Sequence, residues 1–172
     1  IGTVGAWKFA HQSMKNMSLL AKDPRWRCSL AISPDTAIFQ NNLWPKAHSY
    51  IAQGYGDLGD RMTRVTKNML PGPVVIIGTD IPTIRPKHVA RAFQALGRYD
   101  AVFGPSRDGG YWLVGMRRRP AFKEIFKHVG WSTQNALEDT IANLPIHWNY
   151  QFIETLEDID EIDAYDRWKS NG

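Results

Sequence analysis

The sequence predicts an α/β fold of three layers, with helices on both faces of a mostly parallel central sheet. Three observations predict it. Val74-Val75-Ile76-Ile77 and Ala101-Val102-Phe103 are continuous apolar runs, as expected of strands buried on both faces. Each run leads into a polar loop that carries a carboxylate, Asp80 in the first and Asp108 in the second. Strand-like and helix-like segments alternate along the chain, which is the signature of layered α/β architecture. Loops at the carboxyl ends of strands line the ligand crevice in such sheets. Asp80 and Asp108 are therefore expected to face one cleft.

The elements follow in order. Trp7, Ala10, Met14, Met17 and Leu20 recur at helical spacing, so residues 5–21 read as an amphipathic helix that Asp23-Pro24 ends. Residues 27–33 read as a strand, 40–48 as irregular and 49–53 as a short strand. A helix over 57–69 would present Leu58, Met62, Val65 and Met69 on one face. Pro71-Gly72-Pro73 breaks the chain before the strand 74–78. Pro86 suits a first helical turn and Gly97 a helix end, with Val89, Ala92, Phe93 and Leu96 as the buried stripe between them. Strands over 100–104 and 111–116 flank the Gly-rich loop. A short helix is expected over 121–127, and another, capped by Ser132 or Thr133, reaching Leu144. A last strand spans 148–153. A closing helix over 156–168 has an acidic start that complements the helix dipole.

With 172 residues, 43% of them hydrophobic and 22% charged, the chain suits one soluble domain with a sizeable core. The single Cys28 allows no internal disulfide, so a cytoplasmic location is the expectation. No apolar stretch approaches the roughly 20 residues that span a bilayer, so no membrane partner is expected. The net charge of +4 suits anionic small molecules. The groups Arg61/Arg64/Lys67, Arg85/Lys87/Arg91 and Arg117-Arg118-Arg119 read mostly as solvated surface. The spacing of seven Trp and six Tyr reads as core, so nucleic acid is not expected as a partner. Five histidines without paired spacing argue against zinc. Nothing near Ser106 forms a G-x-S-x-G elbow, and Cys28 in its apolar strand reads as inert.

Gly54-Tyr55-Gly56-Asp57-Leu58-Gly59 matches G-x-G-x-x-G, and Asp80 follows at about the distance of a ribose-binding carboxylate. An NAD-binding oxidoreductase is thus a remote alternative. Against it, about fifty residues precede the motif where a dinucleotide unit would normally begin. Asp57 would set a negative charge near a pyrophosphate, and Asp108-Gly109-Gly110-Tyr111 would be left without a role. The plain alternative is a tight turn whose glycines accept positive φ.

Several motifs together carry a family resemblance. They are Gln53 with Gly56-Asp57-Leu58-Gly59-Asp60-Arg61-Met62, then Ile77-Gly78-Thr79-Asp80-Ile81-Pro82, then Gly104-Pro105 with Asp108-Gly109-Gly110-Tyr111. Trp131-Ser132-Thr133 and Glu154-Thr155-Leu156-Glu157-Asp158 complete the set. The chain resembles small bacterial transferases of the nucleotide-diphospho-sugar, GT-A-like class, including uncharacterised members associated with radical-SAM gene clusters. It resembles more distantly the guanylyltransferases of molybdenum-cofactor and coenzyme F420 synthesis. The resemblance implies a single GT-A-like domain over 1–172. It also implies that an N-terminal strand and a basic Lys-Thr-Arg phosphate loop, usual in the family, are missing, because the chain opens on what would be the following helix. A second departure is Glu154, where the family tends to have Asp.

The resemblance implies that Asp80 is a metal-binding carboxylate, with Glu154 as a second metal ligand and Gly56 and Asp57 beside the nucleotide. The metal would be Mg²⁺ or Mn²⁺, whose charge offsets that of a departing diphosphate. Asp108 is the candidate catalytic residue, binding hydroxyls or acting as a base, and Gly109, Gly110 and Tyr111 are candidate substrate contacts. Each has a plainer role: Asp80, Asp57 and Glu154 as caps, Asp108 in a turn, Tyr111 in the core. The expected function is metal-dependent glycosyl transfer from a nucleotide sugar. Nucleotidyl transfer from a nucleoside triphosphate on the same fold is the near alternative, and a non-catalytic nucleotide-binding module the other.

Overall fold

The computed structural model describes residues 3–40, 43–118 and 121–156. Helix α1 (Thr3–Lys22) leads to strand β1 (Ser29–Ile32), a 3-10 turn (Asp35–Phe39) and β2 (Ser49–Ala52). Helix α2 (Leu58–Asn68), β3 (Val74–Ile77) and α3 (Pro86–Ala95) follow, then β4 (Ala101–Pro105) and β5 (Tyr111–Met116). Helix α4 (Ala136–Ala142) and β6 (Tyr150–Phe152) complete the described elements.

Among the described residues, β1 and β2 pair in parallel as one sheet, and a four-stranded sheet has the order β3-β5-β4-β6. Strand β5 runs antiparallel to both β3 and β4, while β6 runs parallel to β4. Thus β3, β4 and β6 point the same way and β5 alone is reversed. The reversal follows from chain length, because the β4–β5 connection is a tight hairpin and a parallel crossover needs a dozen or more residues.

Strands β3, β4 and β5 are covered on both faces, while the edge strand β6 is exposed. On one side Val102, Val75 and Ile77 pack with Met17 and Leu20 of α1 and with Val89, Ala92 and Leu96 of α3. On the other, Phe103, Val114 and Ile76 pack with Met62 of α2, with Ile125 and Phe126, and with Leu137 and Ile141 of α4. Alternate residues of β3 point to opposite layers, which explains why the strand reads as an unbroken apolar run.

Several local expectations are corrected. No helix forms over 121–127. The carbonyls of Ile125 and Lys127 are taken by the Asn143 side-chain amide, at 3.1 and 2.6 Å, and His128 at φ +55° turns the chain out of any helical path. Helix α4 begins at Ala136 rather than beside Ser132, since Ser132 holds φ +62°, which no helical turn accommodates. Helix α2 buries Gly59, Thr63 and Thr66 and leaves Leu58 half-exposed. A side chain at 59 would collide with the Phe126 carbonyl, so the small face of α2 is the one that can approach the 121–126 segment. The apolar stripe of α1 is buried only at its C-terminal half, while Trp7 is exposed and stacks on His11. The closing helix expected over 156–168 lies almost wholly outside the described residues, as do Glu157 and Asp158.

Candidate functional site

The three co-directional strands deliver three carboxylates to one end of the four-stranded sheet. Asp80 follows β3, Asp108 follows β4 and Glu154 follows β6. The junctions are tied together through β5. Gly78 N–H donates to the Trp112 carbonyl at 3.0 Å, Pro105 pairs with Tyr111, and Trp112 Nε1 donates to the Glu154 carbonyl at 3.0 Å. A parallel bridge joins Ser106 to Leu156.

The Asp80 loop is anchored through its buried flank. Ile81 and Ile84 are each 1% exposed and belong to the α1/α3 core. The Pro82 carbonyl accepts from Asn16 Nδ2 at 2.6 Å and from Arg85 Nη1 at 3.1 Å. Asp80 itself is half-buried and engaged in an interaction within the protein. Its Oδ1 lies 2.6 Å from the point where a side chain at Gly78 would place its first carbon.

The Asp108 loop is equally well defined. Asp108 Oδ1 accepts from Gly110 N–H at 2.9 Å and closes a local turn, while the residue stays exposed. Gly109, at φ +89°, lies against the Gln134 carbonyl, and its own carbonyl accepts from Leu137 N–H at 3.1 Å near the start of α4. The loop is therefore clamped between the β4–β5 hairpin and α4. Sheet pairing brings the Asp80 and Asp108 loops to the same end of the molecule.

The other expected site residues divide. Glu154 is held by Arg91 of α3 in an ion pair. Tyr111 is a packing residue. Its hydroxyl meets Thr140 Oγ1 at 3.2 Å, its ring sits edge-on to Phe103 and Trp131, and burial pushes its phenol well above the usual range. Asp57 caps α2 by accepting from Asp60 N–H at 2.8 Å, and Asp60 reciprocates. Gly56, at φ +100°, has its carbonyl held by Arg61 Nε. Asp57 also borders a cleft of about 270 Å³ with Asp60, Glu124, Lys127 and His128, apart from Asp80 and Asp108. Its carboxylates are already engaged, Asp57 and Asp60 with each other's amides and Glu124 with Lys127. The Gly-rich segment is accounted for by positive φ at Gly54 and Gly56. Its flanking strands β2 and β3 lie in different sheets, whereas a dinucleotide unit pairs them.

Among the described residues no three His, Cys, Asp or Glu side chains gather closely enough to hold a metal ion. Mg²⁺ commonly takes only one or two carboxylates and completes its shell with water and substrate phosphates. Asp80, a half-buried carboxylate at a strand end, has the donor chemistry that such a sparse set draws on. No described helix is long and apolar enough to cross a membrane.

Three residues shape this end of the sheet in ways the sequence reading does not give: Asn16, which it leaves without a role, Gly78, which it names only within a motif, and Arg91, which it reads as solvated surface. Asn16 carried a signal, as a polar residue next to Met17 on the inward side of an amphipathic helix. Gly78 and Arg91 depend on contacts that no local pattern reveals.

The comparisons with known proteins agree with this architecture. A crystal structure of a proposed nucleotide-diphospho-sugar transferase from Desulfovibrio desulfuricans G20 superposes with a TM-score of 0.80 at 21% identity, over 99% of this chain and 85% of that one. The homologue of a Mycobacterium tuberculosis protein from Mycobacterium sp. strain JC1 superposes with a TM-score of 0.59 at 12% identity, over 93% of this chain and 82% of that one. These likenesses bear out the α/β fold expected from sequence. Two relatives are 2-phospho-L-lactate guanylyltransferases. The Methanocaldococcus jannaschii protein is 27% identical over 65% of this chain and 52% of its own length. The Methanocaldococcus infernus protein is 29% identical over 77% of this chain and 62% of its own length. The chain thus spans little more than half of the curated relatives it matches. Residues 16–133, which hold the Asp80 and Asp108 loops, match the family described as an uncharacterized protein conserved in bacteria, and the chain belongs to that family, DUF2064.

Proposed function

We propose that this chain is a nucleotide-dependent transferase that moves a nucleotidyl group from a nucleoside triphosphate to an acceptor oxygen, with Asp80 as the metal-binding carboxylate. The observation that carries the reading is the convergence of the β3 and β4 loops, with Asp80 and Asp108, at one end of a doubly covered sheet. The guanylyltransferase relatives favour nucleotidyl over glycosyl transfer and a guanine nucleotide as donor.

In this reading the acceptor oxygen attacks the α-phosphorus. The bond from that phosphorus to the bridging oxygen breaks, and diphosphate leaves with the electron pair. A divalent cation, when bound, offsets the charge on the leaving group. Asp80 would hold it on a loop whose flanks are fixed in the core, which keeps the reorganisation cost low. Exposed Asp108 would accept a hydrogen bond or proton from the acceptor hydroxyl.

Thermal-shift measurements separate the alternatives, because a ligand that binds only the folded state raises Tm. GTP with Mn²⁺ should stabilise the protein more than UDP-glucose with Mn²⁺ does, and NAD should have no effect. A larger shift with UDP-glucose would return the reading to glycosyl transfer. No response to any nucleotide would sink the enzyme reading.

A further inference from the structure

Glycine at position 78 has no backbone explanation. The residue lies outside the positive-φ glycines, which are Gly54, Gly56, Gly72 and Gly109. Its N–H donates to the Trp112 carbonyl at 3.0 Å, a bond that any residue except proline could make. It directly follows β3, where glycine costs conformational entropy and contributes no packing. The space around it gives the reason. A first side-chain carbon at 78 would stand 2.6 Å from Asp80 Oδ1 and 3.8 Å from Asp80 Cγ, and 3.9 Å from the Trp112 carbonyl. The last two are ordinary contacts. The first is shorter than any real carbon–oxygen contact, so the Asp80 carboxylate occupies the volume that a side chain at 78 would fill.

We propose that Gly78 is a positioning residue for Asp80: by lacking a side chain it lets the carboxylate fold back over the end of β3, and so fixes the direction in which Asp80 presents its oxygens. Any side chain here would push that carboxylate off. The close contact falls on the end of the Asp80 side chain rather than on backbone, so a rotation of that side chain relieves it and the fold is kept. The inference rests on the proposed role of Asp80 for its functional consequence, and on geometry alone for the positioning itself.

The test uses Gly78→Ala, Asp80→Ala and the double variant. Two readouts are taken: the Asp80 side-chain rotamer by crystallography or side-chain NMR couplings without metal, and the Kd for Mn²⁺ in the presence of GTP. The expected result is a folded Gly78→Ala protein with the Asp80 rotamer changed and Mn²⁺ affinity reduced about tenfold or more, equivalent to a change of at least about 1.4 kcal/mol. Gly78→Ala should add nothing in the Asp80→Ala background, since it acts through that carboxylate. An unchanged Asp80 rotamer in Gly78→Ala overturns the inference. So does a further loss of Mn²⁺ affinity in the double variant. If the rotamer moves but the parent protein binds no Mn²⁺, the positioning stands and the proposed metal role of Asp80 fails. Gly78→Ser serves as the second variant, and it should displace the carboxylate in the same way.

Discussion

The Asn16 side-chain amide donates to the Pro82 carbonyl at 2.6 Å, from a residue only 2% exposed. One helix thereby anchors the loop two residues beyond Asp80. Asn16 Oδ1 in turn accepts from Gln12 Nε2 at 3.0 Å, so the amide is oriented from both sides. Replacing Asn16 with Ala removes a buried donor and leaves the carbonyl to Arg85. The predicted cost is about 1–3 kcal/mol in urea denaturation. Mn²⁺-dependent GTP stabilisation should weaken as well, because the loop loses its anchor. A variant as stable as the parent would show that the contact carries little.

Arg118 is predicted to be a structural residue, although it sits in the run Arg117-Arg118-Arg119. Its guanidinium donates to the carbonyls of Thr66 at 2.8 Å, Met69 at 3.2 Å and Gly72 at 2.9 Å, and also to that of Leu70. These are carbonyls at the end of α2 and just beyond it, which the helix cannot satisfy itself. Arg118→Ala should cost about 2–3 kcal/mol, and Arg118→Lys should recover little of it, since an ammonium cannot span the set. Denaturation midpoints of the two variants check this. Full rescue by Lys would mean that charge rather than geometry matters.

His88 predicts an acid-sensitive stability. It is 6% exposed, its Nδ1 accepts from Arg85 N–H at 3.2 Å, and its ring meets Trp112 edge-on. Burial holds its pKa below the ordinary value of 6.5, and the nearby Lys87, Arg91 and Arg85 add to the effect. Glu154 is nearby through Trp112 but is paired to Arg91. A depressed folded pKa means that the unfolded chain takes up the proton first. The stabilisation is complete above about pH 6.5 and is lost as pH falls through the folded value. Urea stability should therefore drop between pH 7.5 and 5.5 in the parent, and drop less in His88→Gln. Equal slopes in both proteins would contradict the assignment.

How much of this was legible in the sequence depends on range. Strands β3, β4 and β5 were legible because their apolar runs are local signals, and the Asp80 and Asp108 loops followed from where those runs stop. The reversed β5 follows from the plainer reading of Asp108 as part of a tight turn, because the short Gly-rich connection forces a hairpin. The 121–127 segment misled because Phe122, Ile125 and Phe126 have helical spacing, while the carbonyls of Ile125 and Lys127 are claimed by Asn143 from a distance. Arg118 misled for a related reason: a charge in sequence carries no mark of its partner. Tyr111 reads as a candidate ligand contact with a core role as the plainer alternative, and Thr140, which its hydroxyl meets, lies on another element.

The two loop glycines should behave differently. Gly109 combines φ +89° with the Gln134 carbonyl in the space that any added side chain would fill. That obstacle is backbone and cannot swing aside. Gly109→Ala should cost at least about 2 kcal/mol through strain and displacement. At Gly110 the nearest atom to an added carbon is a side-chain oxygen of Asp108, at 3.2 Å, rather than backbone. Gly110→Ala should therefore cost less than about 1 kcal/mol. Thermal denaturation of the pair measures the contrast, and equal losses would argue that the α4 clamp on the loop is unimportant.

The central claim is that Asp80 holds a divalent cation for a bound nucleotide. Isothermal titration of GTP in the presence of Mn²⁺, on the parent protein and on Asp80→Ala, tests it most directly. The account predicts measurable Mn²⁺-dependent binding to the parent and a loss of about tenfold or more, roughly 1.4 kcal/mol, in a variant that keeps its fold. Equal affinity in the two proteins, or binding to the parent that ignores Mn²⁺, would contradict it.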